Sequence, residues 1–163
     1  MCATRGHGPE HDVLPTDDAC ESDRRGRRAA ARDAVTAVRG EHEIQQRLLR
    51  SLAAVLAEGS DTAEMLRALV RYSGRHFAGE EAAMRDHRYP EEAAHLAEHR
   101  TLRAQLESLR VIDPSTEAFV AAFARLAATL RAHVAGADAR LLTFLERAGA
   151  ARCGDLPSGP LSG

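Results

Sequence analysis

Apolar residues recur at three- and four-residue steps along most of this chain, the period of α-helices buried on one side. Val35, Val38, His42, Gln45, Leu49, Leu52 and Leu56 form a first stripe. It predicts a helix that begins between Asp23 and Gly40 and ends near Glu58-Gly59. A second stripe, Met65, Leu66, Leu69, Val70, Ser73, His76, Phe77, Glu80 and Met84, follows Ser60 and Asp61, either of which can cap it. That helix stops around His87, because Tyr89 precedes Pro90. The third helix is expected to take Pro90 at its first position, with Glu91 and Glu92 at the positive end of its dipole. Its inner face is His95, His99, Leu102, Leu106 and Leu109. Asp113-Pro114-Ser115 makes the next break, after which Phe119, Ala122, Phe123, Leu126, Leu130, His133, Leu141 and Phe144 or Leu145 mark a fourth helix. Four striped helices with short joints and no strand signal give an all-α fold, an up-down-up-down antiparallel four-helix bundle over residues 23–150. Residues 1–22 and 151–163 lack periodicity and are expected to be disordered tails.

Composition narrows the function classes. All 22 basic residues are Arg, set against 24 acidic ones for a net charge of −2, which argues against a nucleic-acid-binding surface. The Arg24-Arg25-Gly26-Arg27-Arg28 run follows acidic residues and reads as a solvated helix entry. No apolar run of membrane-spanning length and no signal peptide is read from the sequence, so no membrane partner is expected. Cys2, Cys20 and Cys153 have neither a disulfide framework nor metal-ligand spacing, and the expected location is a reducing cytoplasm. Alanine, at 32 residues, supplies helix propensity and close packing.

The unusual feature is eight His, several of them inside the apolar stripes. The first helix contributes His42, the second His76 and Glu80, the third His95 and His99, and the fourth His133 with Asp138 five residues on. His76/Glu80 and His95/His99 are i,i+4 pairs, so each pair projects from one helix face. A lone inward His is most often a satisfied core residue. Donors on the apolar side of four successive helices are different, since each one buried without a partner costs about 1–3 kcal/mol or more. Five imidazoles and two carboxylates exceed what one ion needs. They suit two ions bridged by both carboxylates and a solvent-derived oxygen, one six-coordinate through three His and one five-coordinate through two His, leaving one position open. Imidazole and carboxylate without thiolate suit iron, manganese or zinc.

The motifs resemble those of the hemerythrins, particularly the single-domain bacteriohemerythrins. The match runs through His42, His76-Phe77-Ala78-Gly79-Glu80, His95-Leu96-Ala97-Glu98-His99 and His133-Val134-Ala135-Gly136-Ala137-Asp138, together with the connecting HFAGEEAAM and RYPEEAAHLAEHR. It extends from Val35 to Leu145. The resemblance implies a cofactor of two iron ions with a bridging oxo or hydroxo group. By the same resemblance His95, His99 and His133 bind one iron, His42 and His76 the other, and Glu80 and Asp138 bridge. It further implies reversible binding of O2 at the open iron, for storage, delivery or sensing. Helical spacing proposes Leu49, Phe77, Leu102, Leu130 and Leu141 as the apolar lining that excludes water.

Departures stand out, among them a gap from His99 to His133 that is longer than usual and implies a longer third turn or an extended fourth helix. The chain has no Trp, and Leu130 stands in the region where bacterial members often have one. Arg39 replaces an Asp common three residues before the first His, so the first helix is expected to start earlier. His133 and Asp138 lie about 140° apart on an ideal helix, so periodicity does not select Asp138, whose assignment rests on the resemblance. A local distortion near Gly136 would bring it round.

The competing reading is a diiron enzyme that handles peroxide or nitric oxide in stress defence; an oxygen- and metal-binding protein without catalysis is preferred. A ferritin-like carboxylate oxidase expects ExxH on two helices, and Glu92-Ala93-Ala94-His95 is the sole match in the bundle. His7, His11 and His87 fall outside the motifs and are taken as bystanders.

Overall fold

The computed structural model describes residues 17–150. They form helices α1 (Asp17–Ala57), α2 (Ala63–His87), α3 (Glu92–Leu109), α4 (Glu117–His133) and α5 (Ala139–Ala150), with a π-helical turn, Val134–Asp138, carrying α4 into α5. There is no strand among the described residues. α1 packs along α2 and α5, while α3 packs against α2 and α4.

α1 begins at Asp17, so the expected tail over residues 1–22 is corrected at its inner boundary: residues 17–22 are helical. Asp17, Asp18 and Glu21 favour a helix N-terminus electrostatically, and no proline interrupts the chain between Pro15 and Pro90. The rest of that segment, and all of 151–163, lie outside the described residues. In its N-terminal half α1 packs closely on α5. A Cβ on Gly149 would stand 3.1 Å from the Arg32 side chain, and Arg32 donates a hydrogen bond to the Gly149 carbonyl at 3.2 Å.

The joints explain where the helices stop. α1 closes with Gly59 at φ 66°, the Ser60 N–H reaching the Val55 carbonyl at 3.1 Å and the Gly59 N–H reaching Leu56 at 3.1 Å. This is a Schellman closure that uses glycine's freedom in the left-handed region. Thr62 occupies the N-cap position of α2 without a side-chain cap, and Asp61 accepts from the Ala63 N–H at 2.8 Å instead. α2 ends in the same closure with Arg88 at φ 54° and Tyr89 N–H on the Met84 carbonyl at 2.9 Å. Pro90, expected as the first residue of the third helix, is instead part of a turn in which the Glu92 N–H bonds the Tyr89 carbonyl at 3.2 Å. The buried Tyr89 ring anchors this turn, so the helix starts at Glu92. Thr116 caps α4 by accepting from the Phe119 N–H at 3.3 Å.

Two apolar clusters fill the interior. The larger contains Leu49, Leu52, Leu69, Phe77, Leu102 and Leu126 among others. The smaller contains Met84, Tyr89, Leu141 and Leu145, with Val35 and Leu96 against it. Along α1 and the α4–α5 rod the buried ionisable residues lie between the members of one cluster and those of the other, and on α2 Glu80 does so while His76 sits beside Phe77 of the larger cluster. The rod from Glu117 to Ala150 is, at 34 residues, long and apolar enough to cross a membrane by length and composition alone, which corrects the expectation that no such run exists. Its hydropathy comes partly from exposed Ala118, Ala121, Ala124 and Ala128, while its large side chains Phe119, Leu126, Leu130, Leu141 and Leu145 are buried in the two clusters.

Leu69 is fully buried in the larger cluster, two turns before His76. Leu69→Ala should lower the unfolding free energy by about 2–5 kcal/mol, read from urea denaturation, with helical circular dichroism retained at low denaturant.

Candidate metal centre

His42 stands mid-way along α1, His76 and Glu80 one turn apart on α2, and His95 and His99 one turn apart on α3. His133 is the last residue of α4, and Asp138 closes the π turn. All seven are buried, from 0% exposure at Glu80, His99 and Asp138 to 7% at His42. An ordinary α-helix would turn Asp138 away from His133. Bonding from i to i+5 in the π turn inserts enough backbone to return it, and Asp138 Oδ1 lies 2.9 Å from His133 Nε2.

The donors fall into two groups that could each hold a metal ion. One is Glu80, His95, His99, His133 and Asp138; the other is His42, His76, Glu80 and Asp138, with the donor atoms of each group within 4.8 Å of one another. Both carboxylates belong to both groups, and each divides its oxygens between them. Glu80 Oε1 faces His42 and His76 Nε2 at 3.7 Å each, while Oε2 faces His99 at 3.1 Å and His95 at 3.6 Å. Asp138 Oδ2 lies 2.8 Å from His42, and Oδ1 is 3.2 Å from His95.

Several of these close contacts are not aligned as hydrogen bonds. His42 Nε2, His76 Nε2, His133 Nε2, Glu80 Oε1 and both Asp138 oxygens are buried without a hydrogen-bond partner. Lone pairs that converge in a dry interior without protons between them are satisfied by a cation. The residues present therefore fit a metal site with three imidazoles in one half and two in the other.

Carboxylates also aim three of the rings. Glu41 lies 3.0 Å from His76 Nδ1, Glu81 is 3.0 Å from His99 Nδ1, and Glu98 is 2.8 Å from His133 Nδ1. Each accepts the Nδ1 proton and so leaves the Nε2 lone pair pointing inward. Glu41 on α1 orients a ring on α2, Glu81 on α2 one on α3, and Glu98 on α3 one on α4. Arg103 holds Glu81 in turn at 2.8 Å.

The family model described as the hemerythrin HHE cation binding domain matches residues 33–145. The chain belongs to the hemerythrin family. No curated protein and no solved structure matches it. The family match spans all four helix stripes of the chain and every one of the seven buried donors.

Without metal, the two carboxylates favour protonated imidazoles around them. Burial alone pulls His42 and His95 down, but the Asp138 and Glu80 carboxylates outweigh it and push each up to about 9. His133 is likewise raised, chiefly by Asp138 acting against burial. Burial would raise Glu80, yet His42, His95 and His99 hold it well below the usual carboxylate range. Asp138 is lowered in the same way by His133, His42 and His95.

Around the donors, Leu49, Phe77, Leu102 and Leu130 lie in the larger apolar cluster, and Phe77 stacks on His99 with ring centroids 4.4 Å apart. Leu141 does not join them. It lies beyond Asp138 on the rod and packs with Met84, Tyr89 and Leu145 in the smaller cluster. His87 is half-buried at the end of α2 and outside both donor groups. Cys20 lies in α1, whereas His7, His11, Cys2 and Cys153 are outside the described residues. The orienting Glu41, Glu81 and Glu98 were missing from the sequence expectation, although each is adjacent in sequence to one of the seven donors.

Two outcomes follow from this geometry. Glu81→Ala frees His99 Nδ1 and should weaken metal affinity about 10–100-fold in a competitive chelator titration, with the helical fold retained. Metal must also displace the protons that His42 and His95 hold up to about pH 9. Loading at pH 7 should therefore release protons, and apparent affinity should rise as pH increases towards 9 and fall on acidification, as measured by calorimetry in buffers of different ionisation enthalpy.

Proposed function

We propose that this hemerythrin is a non-haem diiron protein that binds O2 reversibly, for storage, delivery or sensing. His95, His99 and His133 would hold one iron, His42 and His76 the other, and Glu80 and Asp138 both, with an oxo or hydroxo group between the ions. The observation that carries the reading is the division of each carboxylate's oxygens between a three-imidazole and a two-imidazole group. Two ferrous ions so held would supply two electrons and, beside His42 and His76, room for a small ligand.

The remaining work belongs to the chain. Glu41, Glu81 and Glu98 keep the Nδ1 protons of His76, His99 and His133 and fix the direction of each ring. Leu49, Phe77, Leu102 and Leu130 give the donor layer a dry apolar neighbour, which limits solvent access to the ions. The helices are read as running up-down-up-down, antiparallel in sequence order. Short joints and the common height of the donors on successive helices support that topology.

Anaerobic reconstitution with ferrous iron, metal counting and an absorption spectrum recorded before and after admitting air test the proposal. Two irons per chain and an oxygenated spectrum that reverses when O2 is removed are expected. Binding of a single zinc, or rapid turnover of peroxide without a stable oxygenated form, would overturn it.

A further inference from the structure

Beyond the seven donors, three buried polar side chains remain among the described residues: Gln45, Ser73 and Thr62. Thr62 stands at the N-terminus of α2. Gln45 and Ser73 lie inside the bundle, 1% and 0% exposed, joined by a hydrogen bond from Gln45 Nε2 to Ser73 Oγ at 3.0 Å. Their position is informative. Gln45 is one turn after His42 on α1, and Ser73 one turn before His76 on α2, while the His42 and His76 rings meet edge to face at 4.9 Å. The Gln45–Ser73 pair is thus the next rung between the same two helices, bordering the two-imidazole half of the centre. Beyond it the α1 and α2 stripes become apolar at Leu49, Leu52, Leu66 and Leu69.

A rung of two aliphatic side chains would bury more apolar surface and leave no polar atom to satisfy. The protons of the pair show what the polar rung offers. The amide carries two N–H groups and the hydroxyl one O–H, and their mutual bond uses one of the three whichever way the amide is turned. No other acceptor for the remaining two is found among the described residues. Hydrogen-bond donors in a dry interior beside the half with fewer imidazoles are suited to an acceptor atom on a ligand held there.

Resting on the diiron reading above, we propose that Gln45 and Ser73 donate hydrogen bonds to the outer atom of the small ligand at the two-imidazole half. They favour ligands whose outer atom is negatively charged or a good acceptor, the class of small anions and reduced oxygen species. The pair sets ligand selectivity and does not serve to hold α1 against α2.

The test uses the full chain, iron-loaded and oxidised, with azide as the probe. Azide affinity is measured by absorbance titration for wild type, Gln45→Met, Ser73→Ala and the double variant, each with its iron content counted. Thermal melting of the metal-free forms supplies a readout independent of iron. Each single substitution should weaken azide binding by up to about tenfold, the size of one ordinary hydrogen bond. The double variant should bind more weakly than either, keep two irons per chain and, without metal, melt at or above wild type. A double variant with two irons and unchanged azide affinity overturns the inference and leaves the diiron reading intact. So does a metal-free double variant that melts well below wild type, which makes the pair structural. A wild-type chain that retains no iron pair overturns the diiron reading, and this inference with it.

Discussion

The constraint on which the rest of this structure depends is the desolvation of seven ionisable side chains in one interior layer. Removed from water singly, five imidazoles and two carboxylates would oppose folding strongly; brought together, they satisfy one another through shared protons or through a metal. That works only if every helix delivers its donors at the same height. The Schellman closures at Gly59 and Arg88 set where α1 and α2 turn, and the Tyr89–Glu92 turn brings His95 and His99 in on α3. The π turn recovers Asp138 for the same layer. Apolar clusters on either side then bound the layer, so that its electrostatics act in a medium with little water to weaken them.

Much of this was legible in the sequence because a buried helix face leaves a direct record in residue spacing. The inner face read for the third helix, His95, His99, Leu102, Leu106 and Leu109, is the buried face of α3. The stripe through Leu66, Leu69, Ser73, His76, Phe77, Glu80 and Met84 is that of α2. What escaped has physical reasons. Asp138 breaks the period because the backbone around it is not α-helical, so resemblance and not geometry pointed to it. Glu41, Glu81 and Glu98 are partly exposed acids in a chain with 24 acidic residues, and a carboxylate that reaches across to another helix leaves no mark in the spacing of its own. Residues 17–22 carry no apolar stripe, so nothing in their pattern separates helix from tail. Leu141 has the right spacing but stands on the far side of the π turn, where it serves the other cluster.

The two clusters divide the interior unequally. The larger one joins α1 through α4, with Phe77 stacked on His99 as its contact with the donors. The smaller one secures α5 and the Tyr89 turn, and Tyr89 meets Phe144 at 5.2 Å between ring centroids. Surface ion pairs such as Arg140 with Glu91 at 2.9 Å and Arg39 with Glu146 tie α5 to its neighbours. Exposed pairs of this kind contribute modestly, on the order of 0–1 kcal/mol each, so placement of the last helix rests chiefly on packing and on Asp138.

The passage of orientation from helix to helix, Glu41 to His76, Glu81 to His99 and Glu98 to His133, makes the layer a measure of its own assembly. A helix that arrived one turn out of step would misplace its own donors and also leave the ring on the next helix free to rotate. Faults would compound along the chain. Affinity for a cation would therefore discriminate steeply between the correctly registered bundle and near misses with equally good apolar contacts, so that uptake of an ion would proofread the fold.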